Sequence, residues 1–318
     1  MARKCYTNGP KVPGGEWGIG NREQEIMKAV VKIGGTLLET AADRLRIAEM
    51  VARQVRAGHR ILLVHGGGKQ LTQFLDTMGV ASRFVDGFRV TTAETLDGVI
   101  KVFAGTVNHE LLAAFCRIGL PAVGLSGIDA GGLIAEKLQG ERGQDWGFVG
   151  QIRKVNPAVW ETLLEAGFLP VLACLAVGED GQIYNVNADQ AAVACAVHSW
   201  RGRADALIFL TDVDGVRDGE GRALARLGAE EIPALLRSGV VTGGMLAKLN
   251  AVREALAQAV PCVYIGNGHR DDALDSVFAA GKPSHEAAVA GTVITPSLAA
   301  SSSEGKCGSH WSEGGHVA

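Results

Sequence analysis

Ala29-Val30-Val31-Lys32-Ile33-Gly34-Gly35 and, further along, Ile61-Leu62-Leu63-Val64-His65-Gly66-Gly67-Gly68-Lys69 decide the fold. Each is a short run of β-branched and leucine residues that stops on glycines, and the helical spacing of Asp43 to Ala57 lies between them. Strand, helix, strand is the βαβ unit of a parallel sheet. The alternation returns at Pro121–Leu125, Leu169–Ala176, Ala206–Leu210 and Pro261–Ile265, each run bounded by Gly, Asp or Pro. Continuous Val/Ile/Leu runs suit strands covered by helices on both faces. The expected class is therefore α/β: a three-layer α/β/α sandwich around a largely parallel central sheet. With 318 residues the chain exceeds the roughly 250–300 at which single cores split, so two lobes on one continuous sheet are expected.

Composition narrows the partners. Apolar residues at 47% and charged residues at 20% describe an ordinary globular chain, not a disordered or fibrous one. A formal charge of -3, with Lys and Arg scattered, gives no electrostatic case for nucleic acid or an anionic membrane. The cysteines (Cys5, Cys116, Cys174, Cys195, Cys262, Cys307) form no CxxC pair, and most sit in apolar stretches, which points to a reducing, cytoplasmic setting. The apolar stretch Phe168–Val177 is shorter than the ~20 residues that span a bilayer, so no membrane segment is expected. Residues 1–24, rich in Gly and charge, and 299–318, rich in Ser, Gly and His, are expected to be a flexible and a disordered tail. Cys307, His310 and His316 are poorly spaced for a metal, and no metal site is expected.

The polar residues gather where strands end, the ligand edge of an open α/β sheet. Glycines there let backbone amides approach a phosphate, although a lone Gly-Gly is more often an ordinary tight turn. Two such turns, each with an in-line lysine, argue for the phosphate. No GxxxxGK[ST] and no GxGxxG follows a strand, so the phosphate site is of another design. Lys32 lies inside an apolar strand, either on a sheet edge or facing a counter-charge. Arg89, in Gly87-Phe88-Arg89-Val90-Thr91, suits a carboxylate grip or is an exposed loop residue. Tyr184-Asn185-Val186-Asn187-Ala188-Asp189-Gln190 turns from a strand pattern into a helix; Asn185 and Asn187 would share one face of the strand, and Asp189 reads either as a helix cap or as a functional carboxylate. Thr211-Asp212-Val213-Asp214-Gly215 closes another strand, and Thr242-Gly243-Gly244-Met245 leads into a helix carrying Lys248, a position usually solvated.

In order and spacing these strings resemble the N-acetylglutamate kinases of the amino acid kinase family, from about Ala29 to Ser297. The resemblance implies that residues 25–183 form an N-terminal lobe for acetylglutamate and dimerisation, and 184–298 a C-terminal lobe for ATP. It implies that Lys32 and Lys248 are catalytic, with Asp189 positioning them. Gly67, Gly68, Arg89, Asn185 and Asn187 would bind the amino-acid substrate. Gly34, Gly35, Thr211, Asp212, Gly243 and Gly244 would meet the nucleotide, with Mg²⁺ carried on the ATP phosphates. A carboxylate of pKa near ~4 is already ionised at neutral pH, so the implied reaction needs no general base. Two further readings stand beside it: a kinase for carrier-linked aminoadipate or glutamate, and a non-catalytic acetylglutamate or arginine sensor. Glycines and prolines through the first twenty residues disfavour the N-terminal helix by which, as the resemblance implies, arginine-inhibited family members form hexameric rings, and little inhibition by arginine is expected. Only Asn21 to Lys28 has helical potential, and a homodimer is expected.

Overall fold

The structure is a computed structural model that describes residues 25–85, 87–140, 143–279 and 290–297. In the first half of the chain the strands are β1 (Lys28–Ile33), β2 (Arg60–His65), the short pair β3 (Phe84–Val85) and β4 (Phe88–Arg89), β5 (Ala122–Ser126), β6 (Leu133–Gln139), β7 (Asp145–Val155), β8 (Leu169–Ala173) and β9 (Leu175–Val177). The second half adds β10 (Ile183–Asn185), β11 (Ala206–Thr211), β12 (Arg226–Gly228), β13 (Val263–Asn267) and β14 (Thr292–Thr295). The main sheet runs β12-β14-β13-β11-β1-β2-β8-β5. Its neighbours are parallel except β13 with β14, as continuous apolar runs require. At its centre β1 pairs with both β2 and β11, and Val30, Val31 and Ile33 are fully buried.

Between the strands run α1 (Ala41–Arg56), α2 (Gly68–Thr77), α3 (Ala93–Val99), α4 (Asn108–Arg117), α5 (Ala158–Glu165), α6 (Ala188–His198), α7 (Ile232–Arg237), α8 (Gly243–Ala257) and α9 (Asp275–Ala279). The first of them is capped by Thr40, whose hydroxyl accepts the Asp43 amide, and it buries Ile47, Met50 and Val51. A π-helical turn, Ile100–Val107, joins α3 to α4 in one run. That run, Ala93–Arg117, is long and apolar enough to cross a membrane, which the sequence reading overlooked; here α4 packs on α1 and β5. Across the sheet α6 packs on β1, β11 and α8. Cys174, Cys195 and Cys262 are buried, and burial pushes each thiol up to about 12, so they behave as small hydrophobes.

Several expectations need correction. The strand expected over Leu169–Ala176 is broken at Cys174, because β9 leaves the main sheet to pair with β10. With β6 and β7 these strands close a small barrel that the sequence did not announce. The expected lobe division after residue 183 falls inside β10. Asn187 does not share a strand with Asn185; the strand stops at Asn185, and Asn187 is the cap of α6, its side chain accepting the amides of Asp189 and Gln190. That removes the cap reading of Asp189. Residues 25–27 are not helical and Lys28 begins β1, which leaves of the candidate N-terminal helix only positions outside the described residues. Both expected tails also lie outside them.

Candidate active site

The two glycine turns open side by side, because Ile33 and His65 are register partners at the carboxyl ends of β1 and β2. The Gly34 amide donates to the Leu210 carbonyl at 2.9 Å, and the Gly34 carbonyl accepts the Leu37 amide at 3.1 Å. Carbonyl and amide of one trans peptide point opposite ways, so the Gly35 amide is turned away from that bond. Gln70 ties the turns together by donating its Nε2 to the Gly35 carbonyl at 3.0 Å.

Just before the first turn, Lys32 stands in the central strand and not on an edge, between Val64 and Phe209. Its counter-charge is Asp189 in the first turn of α6: Lys32 Nζ lies 2.7 Å from Asp189 Oδ1. Lys248 Nζ lies 3.0 Å from Oδ2 of the same carboxylate. Far from being solvated, Lys248 is 7% exposed, with its ammonium 4.8 Å from the centre of the Phe209 ring. Burial works to raise the Asp189 pKa, but the two ammonium groups outweigh it and hold the carboxyl down at about 2. Burial and the charge on Lys32 push Lys248 below the ordinary lysine range, against the pull of Asp189. Three elements distant in sequence thus deliver two cations held by one carboxylate.

This grip sets an acid limit on stability. A carboxyl depressed in the folded protein stabilises it fully above its unfolded value near ~4, and the contribution is lost as pH falls through about 2. The expected loss is on the order of 2 kcal/mol, read as urea unfolding free energy between pH 5 and pH 2. Asp189→Asn should lack this component, and an unchanged acid profile in that variant would remove Asp189 as its source.

Two cavities meet at Lys32, which lines both. The first, about 210 Å³, is bounded by Gly35, Gly67, Gly68, Arg89, Asn185 and Asn187, with Phe84, Phe88, Phe103 and Val149 as apolar wall. Arg89 is clamped there: its guanidinium donates to Ser82 Oγ, to the Gly68 carbonyl at 3.1 Å and to Thr72 Oγ1 at 2.7 Å, and lies 4.5 Å above the Phe84 ring. Three of its five N–H groups are so engaged, leaving two for a ligand. Asn185 donates to Thr91 Oγ1 at 3.1 Å. The second cavity, about 490 Å³, is lined by Asp189, Thr211, Asp212, Gly244, Met245 and Lys248 among others. Gly34 and Gly243 line neither among the described residues; Gly34 sits behind Gly35, and Gly243 opens α8 with φ +55.

Sequence reasoning missed the apolar wall and the buried residues behind the second glycine turn, notably Phe103 and Asn108. No local signal marks them, since the Ala93–Arg117 run reads as a plain apolar helix. Among the described residues no group of three His, Cys, Asp or Glu side chains is arranged to hold a metal ion.

The sequence profile of the amino acid kinase family matches residues 27–267. The acetylglutamate kinase of Solibacter usitatus is 50% identical over 253 residues, covering 80% of this chain and 96% of that protein. The acetylglutamate kinase of Methanopyrus kandleri is 43% identical, covering 71% and 89% respectively. Among solved structures, N-acetylglutamate synthase from Neisseria gonorrhoeae, complexed with coenzyme A and N-acetyl-glutamate, superposes with a TM-score of 0.73 at 28% identity, over 85% of this chain and 59% of that one. Isopentenyl phosphate kinase shares the fold at 18% identity, with a TM-score of 0.56 over 84% of this chain.

Proposed function

Because the chain belongs to the amino acid kinase family, and within it to the acetylglutamate kinases, we propose that it transfers the γ-phosphoryl group of ATP to the side-chain carboxylate of N-acetyl-L-glutamate. The product is an acyl phosphate, and the step an early one in arginine biosynthesis. The observation that carries this reading is the Lys32–Asp189–Lys248 bridge at the junction of two cavities of unequal size. The smaller, with its clamped arginine and apolar wall, suits an acylated amino acid; the larger suits a nucleotide. A reacting carboxylate and a γ-phosphate would then meet at Lys32.

Each residue has a role that the chemistry needs. The nucleophile is already ionised, so Asp189, with one lysine on each oxygen, is an orienter and not a base. Lys32 and Lys248 neutralise charge that spreads over the phosphoryl oxygens in the transition state, and the amides of Gly35, Gly67 and Gly68 add fixed dipoles. Arg89 and Asn185 grip the α-carboxylate, while Thr211, Asp212 and Gly244 hold the nucleotide. Asn187 contributes by capping α6, which seats Asp189. With the Asp189 oxygens taken by lysines, Mg²⁺ would be held mainly by the ATP phosphates, where it neutralises charge and orients the chain. A sensor that only binds would not require two cations locked to one carboxylate between the cavities. The same reading makes the chain up to the end of β10 the amino-acid lobe and the chain from α6 onward the nucleotide lobe of a cytoplasmic homodimer, for which light scattering gives the mass.

The test is ADP release with MgATP and acetylglutamate, run beside glutamate, aspartate and α-aminoadipate. Acetylglutamate alone should support it; release with aminoadipate or glutamate in its place would sink the assignment. Arg89→Lys is expected to raise the KM for acetylglutamate about 10- to 100-fold and that for MgATP less than about twofold, since an ammonium cannot keep the guanidinium's contacts to Ser82, Gly68 and Thr72 and still offer a donor to the ligand. Equal losses for both substrates would contradict the division of the cavities.

A further inference from the structure

The second glycine turn is held from beneath by His65, which is fully buried. Its Nδ1 lies 2.8 Å from the Gly66 carbonyl oxygen, and its Nε2 lies 3.1 Å from Asn108 Nδ2. The same Asn108 nitrogen lies 3.2 Å from the carbonyls of Leu125 and Val171, which only accept, so it is the amide NH₂ that faces all three partners. A hydrogen on Nε2 would face the NH₂ hydrogens, so Nε2 is the bare nitrogen, and the imidazole proton resides on Nδ1 and is donated to Gly66. Burial agrees, holding the imidazole pKa down at about 4 and the ring neutral.

The Gly66 carbonyl and the Gly67 amide belong to one planar trans peptide and point opposite ways. A carbonyl tied inward to His65 turns that amide outward, on the side where Gly67 lines the first cavity beside Lys32. The π-helical turn secures the arrangement from the other side. Its i→i+5 pattern brings Phe103 and Asn108 onto one face. Phe103 and Val107 fill the space that a Cβ on Gly67 would enter, at 2.9 and 3.1 Å.

We propose that His65 is a positioning residue for phosphoryl transfer: its Nδ1–H bond to the Gly66 carbonyl aims the Gly67 amide at the transferring group, and Asn108, the first residue of α4, fixes the tautomer. This rests on the acetylglutamate kinase reading. It gives a buried histidine that takes no part in proton transfer a measurable share in turnover.

Two substitutions separate positioning from packing. The side-chain nitrogen of asparagine falls near the place of Nδ1, and that of glutamine near Nε2. His65→Gln should lower kcat about 10- to 100-fold, on the scale of losing one transition-state donor. His65→Asn should recover to within about fivefold of wild type, with the KM values of both variants within about threefold. Their melting temperatures should fall together. Equal loss of kcat in the two variants, loss that tracks stability, or no loss in a folded His65→Gln protein would overturn the proposal. Nitrogen-15 NMR of the histidine-labelled wild-type protein near neutral pH needs no variant to fold: an Nδ1–H tautomer is expected, and an Nε2–H tautomer refutes the device. If the wild type released no ADP with acetylglutamate, the functional reading would fail instead, and the tautomer measurement would still decide the geometry.

Discussion

Lys32→Ala and Lys248→Ala are each expected to lower turnover by about two to three orders of magnitude, the scale seen when one preorganised transition-state donor is lost. Both ammonium groups are largely buried beside the cavities, where charge built by the reaction would be weakly screened. The variants should differ in binding. Lys32 lines both cavities and Lys248 only the larger, so the Lys248 change should raise the KM for MgATP more than that for acetylglutamate. Both should keep the fold, because removing either lysine leaves the buried Asp189 carboxylate paired with the other. Single-turnover kinetics at saturating MgATP, with circular dichroism to confirm folding, makes the measurement. Near-wild-type turnover in either folded variant would remove that lysine from the mechanism.

Asp189→Asn is expected to be as damaging to turnover while changing acetylglutamate affinity by less than about fivefold, because the carboxylate orients the two lysines and lies outside the first cavity. Asparagine keeps the volume and removes the charge. The lysines are then like charges without the carboxylate that joins them, free to repel and leave the alignment that phosphoryl transfer demands. The melting temperature should fall at neutral pH, where the carboxylate is ionised, and much less below pH 2. Binding by calorimetry and turnover by coupled assay separate the outcomes. If affinity alone collapsed, Asp189 would be a substrate ligand and the bridge incidental.

The main sheet was legible because each of its central strands is a local signal: a continuous apolar run that ends on glycine, aspartate or proline. The small barrel was not. β6 (Leu-Ile-Ala-Glu-Lys-Leu-Gln) and β7, with Gln151, Arg153 and Lys154, mix charge with apolar residues in no clean period, because much of their surface faces solvent. The break at Cys174 was invisible since both halves of that run are apolar and the pairing partner, β10, lies outside it. At the site, Lys32 declared itself as a charge in an apolar strand, whereas Lys248 gave no such sign: helical spacing does not say which face will meet Phe209 and Asp189. Asn187 was misread because a strand turned into a helix two residues earlier than its pattern suggested. The candidate residues could be named one by one from their motifs; the carboxylate shared by two lysines is a property of the folded chain.

The placement of β1 also governs when the protein can become stable during its synthesis. One edge of this strand is covered by β2 soon after both are made, but the other waits for Ala206–Leu210, whose register partners are Ala29–Ile33. At the usual pace of translation that interval is on the order of ten seconds, during which a central, largely apolar strand offers an open ladder to any other chain. A polypeptide cut off before β11 would keep that edge uncovered for good. The nascent chain therefore depends on its second half not for the larger cavity alone but for the closing of its own first core.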